Sequence, residues 1–347
     1  MEKARLFFYR LSRWEFWPFW AVYYPLFPAW LYFSLRARSL FFFNAVNPSI
    51  ANGGMAMESK KDIYDLVPPQ HIPQTVLIKK EKGPDEVRRA VSKAQLLFPL
   101  IAKPDIGMKG LGVERIQNHN ALNEYQSKMQ ADFLIQELID YPMEIGLFYV
   151  RFPGQSRGRI TGIVAKEFLS VTGNGRDTLE ALVIANPRSG FERSKISLEF
   201  GERWNEVLPE GERLILVPIG SHTRGAKFTD LSHAVTDTLV DTFDRICGAI
   251  QGFHYGRLDI LCASLEDLAR GENFRIIEVN GAGSEPTHIY DPSHSLFFAW
   301  KEILAHWHLM CTISRINRKQ GFGYLTYREG MRMLRTNNAL EAQLRLL

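Results

Sequence analysis

Two short segments decide the fold: Gly256-Arg-Leu-Asp-Ile-Leu261 and Phe274-Arg-Ile-Ile-Glu-Val-Asn280. Each alternates polar and apolar side chains over a strand-length run. Arg257 and Asp259 therefore share one face of the first segment, and Glu278 and Asn280 one face of the second, while Leu258, Ile260 and Val279 turn the other way into a core. Three oxygen donors and one guanidinium then meet at a single spot. Hard oxygen donors with few carboxylates suit Mg²⁺ shared with nucleotide phosphates, and a fixed arginine beside them suits a phosphoryl oxygen or a developing oxyanion. The pair reads as a metal–nucleotide site.

Upstream, Leu100-Ile-Ala-Lys103 puts a cation at the end of an apolar strand, and Pro104 leads into Gly107-Met-Lys-Gly110-Leu-Gly112. A lysine followed by a backbone flexible enough to fold over phosphates and present N–H groups meets the needs of triphosphate binding, with Lys109 a further cation within the loop. Next comes Asp132-Phe-Leu-Ile-Gln-Glu137-Leu138-Ile139, followed by Glu144, and then Lys166 within Gly162-Ile-Val-Ala-Lys-Glu-Phe-Leu169.

Taken in order from about residue 100 to 290, these motifs resemble the ATP-grasp superfamily of carboxylate–amine ligases, which includes D-alanine–D-alanine ligase, glutathione synthetase and cyanophycin synthetase. The resemblance implies an α+β fold in which two α+β subdomains grip ATP between them. It implies that Lys103 grips the α or β phosphate, that Gly107, Gly110 and Gly112 form a mobile cover, and that Lys109 and Lys166 reach the phosphates. Backbone groups of Glu137, Leu138 and Ile139 would read adenine, and Glu144 would accept from the ribose hydroxyls. Asp259, Glu278 and Asn280 would hold two Mg²⁺ ions, Glu278 bridging them, and Arg257 would stabilise the tetrahedral state formed when an amine attacks an acyl phosphate. After the second signature, Gly281 to Asp291 forms a small-residue loop in which Ser284 or Thr287 would take a substrate carboxylate. Glu285 and His288 depart from the ligase pattern and are the candidates for specificity or acid–base work.

With 347 residues and 46% hydrophobic side chains, the chain can bury one large or two modest cores. Cys247, Cys262 and Cys311 lack metal-site or disulfide spacing and suit a reducing, cytoplasmic compartment. A net charge of +4 without a long basic run argues against a nucleic-acid partner. The anomaly is Trp14 to Leu35, whose single charge is Glu15 amid eleven aromatic residues. Pro18, Pro25 and Pro28 interrupt it, and arginines flank it at Arg10, Arg13, Arg36 and Arg38. Aromatic, proline-broken sequence favours the headgroup boundary, hence peripheral contact with the cytoplasmic face of a membrane and a small-molecule or lipid-linked substrate. Packing as a hairpin, an oligomer contact such as a homodimer, and a true span are the alternatives for this segment.

The expected division is 1–62, an aromatic and abbreviated leading region; 63–130, the small subdomain; 131–292, the large subdomain with the metal and catalytic site; and 293–347, a helical tail. Within Ser39 to Ile50 the sequence reads as a strand ending at Asn47-Pro48, with Ile50 to Gly54 as a glycine-containing loop. The expected activity is ATP-dependent amide formation with release of ADP and phosphate. Two rivals stay open at this point: a kinase on the same fold, and a membrane-surface scaffold with a decayed nucleotide site.

Overall fold

The computed structural model describes residues 2–107, 110–217, 220 and 225–346. The first lobe is an antiparallel sheet of β1 (Thr75–Ile78), β2 (Leu100–Pro104), β3 (Glu114–Ile116) and β4 (Phe133–Glu137), in the order β1-β4-β2-β3. Strand alternation turns Leu100, Ala102, Phe133 and Ile135 towards the helices Pro84–Lys93 and His119–Lys128, while Lys103 and Gln136 take the opposite face. The first of these helices starts on Pro84, with the Glu86 carboxylate capping the Gly83 N–H, and its apolar positions Val87 and Val91 recur at i and i+4 on the buried side.

The chain continues through β5 (Met143–Val150) and β6 (Arg159–Glu167), a short pair β7 (Leu169–Thr172) and β8 (Arg213–Val217), and then β9 (Lys227–Asp230), β10 (Tyr255–Cys262) and β11 (Phe274–Asn280). The second lobe is the antiparallel sheet β11-β10-β5-β6-β9. Ile145, Leu147, Ile163, Leu258 and Ile260 cover one face and pack on Leu239, Phe243 and Ile246 of the helix Asp237–Ala249, which Thr236 caps. Truncating a fully buried ring such as Phe243 to alanine costs about 3–5 kcal/mol, so this face fixes the sheet; on the other, Phe148, Val150 and Tyr255 pack on the helix Leu296–Lys319 and the polar residues take the remainder. The pair β7–β8 stands apart with its own core of Leu179, Val183, Ile196 and Leu208. The architecture is α+β with two facing antiparallel sheets, as the ATP-grasp resemblance implies.

Residues 39–50 are not the expected strand. They form a 3-10 turn at Phe42–Ala45 and a loop, because Asn47 is wholly buried and spends its side chain on backbone. Its Nδ2 donates to the Gly53 and Tyr255 carbonyls at 3.1 and 2.7 Å, and its Oδ1 accepts from the His254 and Tyr255 N–H groups. After a leading helix Glu2–Ser12, the aromatic segment folds as helices Phe19–Tyr23 and Phe27–Ala37, with Pro18 preceding the first of these and Pro28 opening the second. Its inner side packs on the long helix Leu296–Lys319, Val22 and Leu26 meeting Ile289, Ala299 and Ile303. No helix among the described residues is long and apolar enough to cross a membrane. The final helix Tyr327–Leu344, capped by Thr326 and Glu329, joins both lobes: Met333 lies in the core around Phe42, and Leu340 and Leu344 lie in that of the first lobe.

Candidate active site

Pairing of β10 with β11 sets Arg257 opposite Asn280 and Asp259 opposite Glu278. Directly opposed residues hold their Cβ atoms about 4.5–5.5 Å apart, so the four side chains form one cluster on the sheet face opposite the helix Asp237–Ala249. The register then slips: Asp259 pairs with Glu278 but Ile260 with Ile276, leaving Ile277 as a bulge. The bulged carbonyl reaches the other lobe. Lys103 Nζ donates to it at 3.2 Å, to the Tyr64 hydroxyl at 2.8 Å and to Gln136 Oε1 at 2.9 Å, and the Tyr64 hydroxyl in turn donates to the Ile277 carbonyl. Burial lowers the Lys103 pKa to about 8, partly offset by the negative charge of Glu278. A lysine this dry gains strongly from an added phosphate.

Asp259 is the hub of the cluster. Arg257 donates to it through Nε at 2.9 Å and Nη2 at 3.1 Å, Lys166 Nζ lies 3.0 Å away and Asn280 Nδ2 3.5 Å. Burial works against its charge, yet Arg257 and Lys166 outweigh it and hold the carboxyl well below the usual carboxylate range. For Arg257, too, burial opposes the charge and Asp259 restores it. Lys166 bridges Asp259 and Glu144, the latter at 2.8 Å, and those two carboxylates keep its pKa raised against burial. Glu144, expected on ribose, is therefore engaged by Lys166 and packed beneath Gly220, where an added Cβ would lie 2.5 Å from its oxygens. Gly146, opposite Asp259, leaves room for Thr287 and the Arg257 stem above the sheet.

The glycine-rich loop runs on from β2. Gly110 and Gly112 adopt φ of +68°, and a Cβ on Gly112 would press on Pro104 at 3.0 Å. Lys109 lies outside the described residues. The Gly107 carbonyl accepts from Lys60 at 2.5 Å. Glu137 ends β4, its carboxylate accepting from the Gln74 N–H, and Leu138 and Ile139 form the extended link to β5, half-buried and outside both sheets.

Gly281 and Gly283 bring two stretches of backbone together. Ala282 and Gly283 donate their N–H groups to the Gly53 and Gly54 carbonyls at 2.9 and 2.8 Å, and a Cβ at Gly281 would lie 2.4 Å from the Gly53 oxygen. These glycines permit close backbone approach, not anion capture. The contact carries Glu58 alongside Glu278. Glu58 Oε2 is buried without a hydrogen-bond partner, and burial, reinforced by Glu278, raises its carboxyl above the usual range against its own backbone amide and Lys60. No motif marks Glu58; only the tertiary path of residues 51–58 exposes it.

Beyond Arg257, the Glu285 carboxylate takes the hydroxyls of Tyr23 and Tyr290, the latter at 3.1 Å, while Arg257 Nη1 donates to the Glu285 carbonyl at 3.4 Å. His288 is buried against Gly162, with Nε2 3.6 Å from Glu302. Its imidazole engages the helix Leu296–Lys319, on the same face of the sheet as Arg257, rather than Asp259.

Among the described residues no group of three or more His, Cys, Asp or Glu side chains is arranged to hold a metal by itself. Asp259, Glu278 and Asn280 nonetheless offer oxygen donors suited to a cation that phosphates also ligate, and the unpartnered Glu58 oxygen beside Glu278 is what a nearby cation would satisfy.

No family model and no curated protein matches the chain. Among solved structures it is similar to a bifunctional glutathione synthetase from Pasteurella multocida (13% identity, 74% of this chain and 38% of that one, TM-score 0.40). It is also similar to a D-Ala:D-Ser ligase from Enterococcus faecalis (13%, 75% and 62%, 0.42) and a D-alanine–D-alanine ligase from Bacillus anthracis (14%, 77% and 70%, 0.43). The chain thus spans less than two thirds of the first two proteins. Likeness at this level leaves the functional reading to the site itself.

Proposed function

We propose that this protein is an ATP-grasp enzyme that phosphorylates a carboxylate with ATP and passes the acyl group to an amine, releasing ADP and phosphate. The observation that carries the reading is the register placing Arg257, Asp259, Glu278 and Asn280 together while Lys103, from the other lobe, bonds to the bulged Ile277 carbonyl beside them. Two lobes thus bring cations and oxygen donors together, as a metal-bound triphosphate requires.

Two Mg²⁺ ions, when bound, neutralise phosphate charge and align the transferring group; Asp259, Glu278 and Asn280 would hold them. Lys103 and Lys166 bind phosphate oxygens. Lys166 would exchange part of its contact with Asp259 for the nucleotide, freeing that carboxylate. Arg257 stays charged at any working pH and supplies a fixed fork to the oxyanion formed as amine meets acyl phosphate. The Glu137–Ile139 link supplies backbone groups to adenine, and Glu144 turns to ribose once Lys166 moves. His288, packed between Gly162 and Glu302, is a positioning residue for the Thr287 loop. Catalysis is then alignment and charge neutralisation, without a covalent enzyme intermediate.

The test is phosphate release from MgATP across a panel of paired carboxylic acids and amines, with Arg257→Ala alongside. The variant should lose at least about 100-fold in turnover while MgATP still raises its melting temperature. A stable phosphorylated product formed without amine would assign a kinase, and failure of MgATP to stabilise the wild-type chain would remove the nucleotide reading.

A further inference from the structure

The aromatic segment has two sides. Its inner side reaches the site: Tyr23 holds Glu285, Trp14 Nε1 donates to the His294 carbonyl at 2.8 Å, and Trp300 Nε1 donates to the Val22 carbonyl at 2.9 Å. Its outer side is apolar as well. In the helix Phe27–Ala37, Phe33 and Ala37 are buried, whereas Phe27, Leu31 and Leu35, spaced four apart on the opposite face, are 56%, 40% and 78% exposed. A surface helix normally presents polar residues outward; one that is apolar all round has a second apolar neighbour. Phe8, Phe19 and Trp20 extend the same character to the preceding helices at 64%, 67% and 60% exposure, and Phe297, 76% exposed, adds to it from the backing helix.

Charge tells what covers this face. From Phe16 to Leu35 there is no charged residue, and the one nearby acid, Glu15, is buried with both carboxylate oxygens accepting from Arg188 Nη2. Exposed Arg10, Arg36 and Arg38 border the stretch. A second copy related by a twofold axis would bring that arginine border against its equal, which opposes self-association. An anionic surface meets it favourably. Exposed tryptophan, tyrosine and phenylalanine rings with basic residues at their margin are the chemistry of a segment lying in the headgroup region, and the prolines break it into pieces too short to span.

We infer that this face docks on an anionic lipid surface, holding the Glu285 loop directly behind the docked segment. The inference is independent of the chemistry assigned to the cleft. The experiment is sedimentation of the full chain with phosphatidylglycerol–phosphatidylcholine vesicles and with phosphatidylcholine alone, at low and high salt. Beside the wild type go a Trp20→Ser/Leu31→Ser variant and an Arg36→Gln/Arg38→Gln variant; circular dichroism melting checks their fold, and light scattering gives the oligomeric state. The wild type should bind mixed vesicles about tenfold or more tightly than neutral ones, and each variant should lose about tenfold on the mixed vesicles. Wild-type protein left in the supernatant with mixed vesicles overturns the inference. So does a wild-type dimer that the serine variant dissociates, which would give the face to a second copy.

Discussion

Asp259→Asn keeps the shape of the side chain and removes its charge, so it measures how far the apo fold depends on the hub of the site. Wild-type Asp259, 4% exposed, answers Arg257 through two bonds and Lys166 through one. In the variant Lys166 keeps Glu144 at 2.8 Å, but Arg257 loses both charged contacts and stays buried. Breaking a buried ion pair from one side costs about 3–5 kcal/mol. Since one of the two cations keeps a partner, we expect a loss of about 4 kcal/mol, or a melting temperature lower by about 8 °C at roughly 2 °C per kcal/mol for a chain of this size. Urea unfolding of the wild type, Asp259→Asn, Lys166→Met and the double variant gives the cycle. Removing the lysine relieves part of the uncompensated charge, so the double variant should exceed the additive expectation by about 1–3 kcal/mol. An Asp259→Asn variant within about 0.5 kcal/mol of wild type, the scale of a neutral surface change, would refute the reasoning.

Lys103 has a pKa lowered to about 8 in the fold; in its proposed role it meets phosphate as a cation, so MgATP affinity should fall as pH rises through 8, and Lys103→Met should be weak and flat over the same range. In the free protein the sign reverses: a lysine lowered below its ordinary 10.5 leaves the unfolded chain holding more protons between the two values, so stability rises from pH 8 to 10.5 in wild type relative to Lys103→Met. Parallel pH profiles of the two proteins would dismiss the buried cation. Gly162→Ala would place a methyl 2.1 Å from His288 Nδ1, forcing the ring off its seat; a loss of about 1–3 kcal/mol is expected in thermal unfolding, and an unchanged midpoint would deny that packing.

Much of the site was legible because strand alternation is rigid. Arg257 had to share a face with Asp259, and Glu278 with Asn280, once the two segments were strands; it is their pairing that makes the two faces one. What the sequence hid depends on register and on loops. The Ile277 bulge leaves no compositional mark, so the Lys103–Tyr64–Ile277 link was invisible. Glu58 sits in a loop positioned by Asn47 and by two glycine contacts distant in sequence. The stretch 39–50 misled because aromatic residues favour strands, whereas a single buried asparagine that pairs with four backbone groups dictates a turn. The glycines after Asn280 are ambiguous in any sequence, since close packing and anion capture call for the same residue.

The final helix sets a limit on how the two sheets move apart. Met333 is fixed at one end and Leu340 and Leu344 at the other, with Leu344 lying beneath Gly107 at the root of the glycine-rich loop. A helix resists stretching, so parting the lobes must lift its last turn out of the first lobe's core. On the proposed reading, nucleotide entry and exit would be geared to the local melting of a few residues about sixty-five positions downstream of Glu278, the last place a reader of the motifs would look for a latch.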